Sequence, residues 1–212
     1  MRSFQSGLSN PVERSGDRLG FGGILAQVVV TDSDTTAIVV PTDAKFAFAE
    51  AVGGGSYSYS GRSSGGGAGE DAILEVVPGE TLTPELSINV SLPDTKLYRS
   101  STLLLTALGS RPPDVANGPG ASGKYPGGAG LYSATVELRR GGRGGGRLGG
   151  KGGRPDGGVN GSGTPGGIGG GAPATNSGSR PGQLGCVCLT FFASYEETLA
   201  FAKAVYGGSW AP

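Results

Sequence analysis

Between residues 141 and 185 glycine fills 21 of 45 positions, so this stretch has almost no side chains from which to build a conventional core. Two physical outcomes are open to it. It is either a disordered linker or a set of extended left-handed helices of the polyglycine type, whose three-residue turn lets bare backbones pack closely. Units such as Gly141-Gly142-Arg143, Gly149-Gly150-Lys151 and Gly152-Gly153-Arg154 suit the second outcome, although the period is interrupted and never collagen-like. Ordered packing of this insertion is the expectation, with glycines at contacts irreplaceable and Arg147 a solvated residue of little consequence for folding.

The whole chain has 44 glycines and 14 prolines in 212 residues, which concentrates its apolar residues elsewhere. Its 17 basic and 17 acidic residues cancel, so no global field draws it to nucleic acid or to an anionic membrane. It has no histidine, the commonest general base near neutral pH and the commonest metal ligand. The expectation is therefore a protein that is not an enzyme, with neither cofactor nor metal. Cys186 and Cys188 stand too close for an unstrained disulfide and read as two small buried apolar residues. Residues 1–23 lack the apolar segment of a secretory signal, and no stretch approaches the ~20 apolar residues of a membrane span, so no membrane insertion is expected.

Residues 1–23, with Asn10-Pro11 and Ser15-Gly16, read as an irregular N-terminal arm of the kind that orders against a neighbouring subunit. Ile24–Thr31 and Ala37–Pro41 are β-branched runs around turn-forming residues and suggest a hairpin. Lys45–Val52 sets Phe46, Phe48 and Val52 on one face with period two. Strand patterns recur at Asp71–Val77, Thr81–Val90, Leu97–Leu108 and Leu131–Arg139, and Gly185–Phe192 reads as a closing strand. Several short strands at this spacing predict an all-β fold, a β-sandwich over 24–192 with polyglycine II-like loops. Residues 193–212 form a C-terminal helix and tail. Ser194 and Glu197 have capping-box spacing, Gly207-Gly208 is a stop, and a helix over Tyr195–Tyr206 would bury Leu199, Ala202 and Tyr206.

Three passages resemble the glycine-rich domain of phage tail-fibre, tail-tip and spike proteins. The first is Val40–Gly55, a Val-Pro step, a strand and a glycine run. The second is Gly65–Leu82, a glycine run leading into a strand and a Pro-Gly-x-Thr turn, and the third is the late glycine stretch closing into Cys186–Phe192. Together they span roughly residues 37–192. The chain departs from that pattern at Ser87–Pro93 and in a long insertion reaching about Asn117. The resemblance implies a virion structural protein of a phage or phage-like particle, oligomeric and surrounded by other virion proteins. Its role would be in a tail fibre, tail tip, baseplate or spike, with loops that meet host surface glycan.

Tyr57 and Tyr59 sit among glycines and serines, the composition that recognition loops use, and with Arg62 and Tyr125 they are the candidate binding residues. Gly118–Lys124 has phosphate-loop spacing, but Tyr125 replaces the metal-holding hydroxyl residue, and the strand before and helix after are missing. Gly61–Gly65 matches the nucleophile-elbow spacing, yet without a histidine base it reads as a flexible loop. The rival signal is the run Arg139, Arg140, Arg143, Arg147, Lys151 and Arg154, which suits single-stranded nucleic acid and makes a nucleic-acid-binding protein the alternative.

Overall fold

The computed structural model describes residues 23–208, 210 and 211, apart from 33, 35–36, 59–60, 87–93, 113–116, 132–138, 156–162, 165–166 and 173–180. Ten strands and one helix follow along the described chain. They are β1 (Ile24–Val30), β2 (Ile38–Val39), β3 (Phe46–Val52), β4 (Gly69–Glu75), β5 (Thr81–Leu86), β6 (Thr95–Arg99), β7 (Thr102–Ala107), β8 (Arg154–Pro155), β9 (Gly163–Thr164), β10 (Cys186–Phe192) and α1 (Tyr195–Tyr206). Eight strands make two antiparallel sheets, ordered β1-β10-β3-β4 and β2-β5-β6-β7, while β8 and β9 pair separately. The fold is thus all-β and sandwich-like with a short C-terminal helix.

Alternation along β3 decides how the layers stack. Ala47, Ala49 and Ala51 face the second sheet, where they meet Leu82, Leu97, Leu105 and Ala107, while Val187, Leu189 and Phe191 of β10 complete this core. The small alanines let the sheets approach. Phe46 and Phe48 point the other way, and α1 covers them. Phe48, Phe192, Phe201, Ala202 and Trp210 form a second apolar cluster under the helix. Phe48 meets Phe201, Tyr206 and Trp210 edge-on at centroid distances of 5.7–6.1 Å. Sheet one is therefore buried on both faces at β3 and β10.

Helix boundaries follow the capping signals. Ser194 is the N-cap, its hydroxyl accepting from the Glu197 amide at 3.3 Å, and Gly207 takes the C-cap with φ +67°. The buried stripe is Thr198, Phe201 and Ala202, with Leu199 and Tyr206 at its margins. The hairpin expected of the first two β-branched runs does not form. β1 pairs with β10 and β2 with β5, so the chain crosses from one sheet to the other between them.

The N-terminal arm and positions 132–138 of the strand expected at Leu131–Arg139 lie outside the described residues, although Leu131 and Arg140 bridge each other at its ends. No helix among the described residues is long and apolar enough to cross a membrane.

Candidate functional site

Among the described residues the glycine runs are ordered, and their hydrogen bonds return every third residue. The amide of Gly66 donates to the Gly128 carbonyl, Gly67 to Gly169, Ala68 to Leu108 and Gly69 to Tyr125, all at 2.8–2.9 Å. Gly66 and Gly69 thus reach one neighbouring run, and the two residues between them reach two others. The same step recurs in Gly118 to Ser63 with Ala121 to Gly66, and in Gly150 to Ile168 with Gly153 to Gly171. Three-residue return to the same neighbour is the signature of polyglycine II helices packed side by side. A Cβ placed on Gly66, Gly120, Gly142 or Gly152 would come within 3.0 Å of a neighbouring carbonyl, which explains the composition. Buried serines serve where the lattice admits a side chain. Ser64 donates to the Ser56 carbonyl at 2.7 Å and accepts from the Ala172 amide at 2.6 Å, while Ser110 donates to the Gly65 carbonyl at 2.6 Å.

This lattice has two ends. At the proximal end it grows from the sandwich: Val52 passes into Gly53, Gly69 opens β4, Ala107 leads to Leu108, and Gly185 precedes β10. From Gly69 to Ser63 the run spans about 19 Å, taking ~3.1 Å per residue. Ser63 marks the distal end, where it bridges Asn117 and its hydroxyl donates to the Leu131 carbonyl at 2.8 Å. Gly69 marks the proximal end, where it bridges Tyr125.

The four predicted binding residues separate along this axis. Arg62 is exposed and Tyr57 half-buried, both beside the distal end, whereas Tyr59 lies outside the described residues. Tyr125 does not join them. It sits at the proximal end, stacked on Tyr206 with centroids 4.9 Å apart and rings 13° from parallel.

Around Tyr125 the structure builds a clasp that sequence reasoning missed. Glu50 on β3 and Asp71 on β4 are register partners, and both are buried. Glu50 accepts from Arg147 Nε at 3.0 Å, from Arg147 Nη2, and from the Tyr206 hydroxyl at 2.9 Å. Asp71 Oδ1 accepts from Lys124 Nζ and from Trp210 Nε1, each at 2.8 Å, and Oδ2 is buried without a hydrogen-bond partner. Lys124 also donates to the Ala211 carbonyl at 2.9 Å and stands 4.9 Å from the Trp210 ring centre. Two lattice cations and two aromatic residues of the C-terminal segment are thereby tied to one buried pair of acids. Burial first, and then the neighbouring carboxylates, push the phenols of Tyr125 and Tyr206 up, and Tyr206 is held protonated as the donor to Glu50.

Arg147 is exposed, as expected, but its guanidinium is paired with the buried Glu50 carboxylate, which gives it a contact that the sequence reading did not assign. The signal was present in Glu50, an acid on a face otherwise made of Phe46, Phe48 and Val52, which demands a cation.

The two enzyme-like spacings resolve into lattice. Gly118, Ala121 and Lys124 spend their amides on Ser63, Gly66 and Glu70, and the Lys124 ammonium is turned onto Asp71. Ser63, Ser64 and Gly65, read from sequence as part of a flexible loop, are buried and hydrogen-bonded in the lattice. Cys186 and Cys188 are free and buried, and desolvation pushes both thiols up to about 12.

No protein-family model matches the chain, and comparison with curated proteins and with solved structures finds no match either.

Proposed function

We propose that the protein is a structural and adhesive component of a phage or phage-like particle, in its tail fibre, tail tip, baseplate or spike, and that the distal end of the glycine lattice meets host surface glycan. The observation that carries this reading is the polarity of the lattice. One end is fused to the sandwich at four places and locked by the Glu50–Asp71 clasp, and the other carries the connections that include Tyr57 and Arg62. Bare backbone packed in this way is a stiff mount that leaves its connections free to vary, the division of labour expected of a recognition scaffold. Tyrosines among small residues supply amphipathic contact area at low entropic cost. The role is binding, without a reaction, and the site of action is the virion, beside other virion proteins.

The nucleic-acid alternative loses part of its basis, because Arg147 is engaged by Glu50 and Arg139 is buried. Arg139 is thus withdrawn from a solvent-facing basic run, and the charge of Arg147 is already partnered.

A microarray of bacterial surface polysaccharides tests the proposal. The expected result is salt-tolerant retention that falls at least tenfold in a Tyr57→Ala/Arg62→Ala variant and is unchanged in Tyr125→Phe. Absence of retention on any polysaccharide would overturn it, as would tight single-stranded DNA or RNA binding that weakens steeply with salt.

A further inference from the structure

Among the described residues one edge of the first sheet is bare. β1 has β10 as its neighbour in the sheet, and its other side has no strand among the described residues. Its sequence, Ile-Leu-Ala-Gln-Val-Val-Val, has no charge, proline or glycine. Leu25 is 41% and Val29 52% exposed, and on the adjoining edge of the second sheet Val39 is 65% exposed. Natural edges are protected by lysine, proline, inward charge or a covering element, because an unpaired apolar strand recruits another. Here the protection is a single bulge between Ile24 and Ala26, which leaves Ala26–Val30 in regular register. The far edge of the same sheet differs, since β4 carries Glu70, Asp71 and Glu75.

We infer that β1 is a self-association edge, which pairs antiparallel with β1 of a second copy of this chain. The apolar, self-complementary edge fits a second copy, and charge placement selects the direction. The strand is neutral along its length and runs directly into Asp32 and Asp34. A parallel pair would set these acids of the two copies side by side, whereas an antiparallel pair sends them to opposite ends of the junction. An identical strand gains the full main-chain ladder, and in it the exposed Val29 of each copy stands against the exposed Leu25 of the other, apolar against apolar. Gln27 is held back by its bond to Thr190 Oγ1 at 3.0 Å, and α1 packs chiefly on β3 and β10, meeting β1 only at its Ile24 end. Pairing would join two four-stranded sheets into one of eight. The junction involves one strand from each copy, so the association is reversible and concentration-dependent.

Sedimentation equilibrium of the full chain from ~1 µM to ~500 µM, the range in which so small an interface titrates, provides the test. The average mass should rise from 21.0 kDa toward twice that value. Val29→Lys should weaken association at least tenfold with an unchanged melting temperature, Val29→Thr should preserve it, and Leu103→Lys on the β7 edge should leave it alone. Should Val29→Lys fold poorly, Leu25→Lys is the second variant with the same expected effect. A chain that stays monomeric throughout overturns the inference, and so does a dimer that survives both lysine variants on β1 or is lost equally through Leu103→Lys.

Discussion

A Gly142→Val variant should lose more than ~3 kcal/mol of stability, or fail to fold, because overpacking against backbone cannot be relieved by a rotamer change. At Gly142 a Cβ meets the Gly128 carbonyl and the Gly66 amide, which belong to two different runs. Neither can retreat freely, because the Gly66 amide donates to the Gly128 carbonyl at 2.9 Å and the Gly128 amide to the Arg143 carbonyl at 2.8 Å, while Gly142 is itself held by its amide to the Ser64 carbonyl and its carbonyl from the Gly171 amide, both 2.8 Å. Thermal unfolding would show the effect as a fall of about 6–12 °C or more, at ~2–4 °C per kcal/mol for a chain of this size. Gly169 is constrained twice, by a φ of +66° and by Val52 Cγ1 and the Gly53 carbonyl, each 2.6 Å from a Cβ there. Gly208 is the control, since a Cβ there meets open space and Gly208→Ala should stay within ~0.5 kcal/mol of the parent. A Gly142→Val protein melting within 2 °C of wild type would mean that the runs are loosely held, and the packing described for them would be wrong.

Arg147→Ala should cost about 2–4 kcal/mol. The loss comes less from the pair itself than from the carboxylate left behind, since Glu50 is 1% exposed and would retain the Tyr206 hydroxyl as its hydrogen-bond donor. The figure lies below the ~3–5 kcal/mol of a fully enclosed pair because the Arg147 side chain is 35% exposed, so water can approach the vacated position. A double variant Glu50→Gln/Arg147→Ala removes the charge as well and should recover part of the loss. Chemical denaturation of the three proteins decides the matter. If the single variant is as stable as wild type, Arg147 is a surface residue and the clasp has no energetic role.

Elements with strong local signals were legible in the sequence. β3 and β10 announce themselves by β-branched and aromatic residues bounded by glycine, and α1 by Ser194, Glu197 and Gly207, where the chemistry of the ends sets the boundaries. Pairing was less legible, because β1 and β2 choose partners far away in the chain and no local pattern encodes Val28 opposite Leu189 or Ile38 opposite Leu82. The lattice was legible as composition but not as register. Its hydrogen bonds repeat every three residues while its glycines do not, since positions such as Ala68, Ala121 and Ala172 accommodate a methyl group and each run lasts only a few residues before the chain turns back. The clasp was hidden for a related reason. Arg147 and Lys124 look solvated among glycines, and only folding brings them to acids 97 and 53 residues away.

Backbone amide hydrogen exchange tests the ordered lattice most directly. Fixing each residue costs ~1–2 kcal/mol and glycine costs more than most, so these runs stay ordered only if the hydrogen bonds and close contacts between them hold cooperatively with the sandwich. The amides of Gly66, Gly67, Gly142, Gly145, Gly153 and Gly171 all donate to carbonyls of other runs at 2.8–3.0 Å. The prediction is that they exchange as slowly as those of β3 and β10. Exchange of these six at the rate of an unstructured peptide, beside a protected sandwich, would contradict it and reduce the glycine-rich segments to linkers.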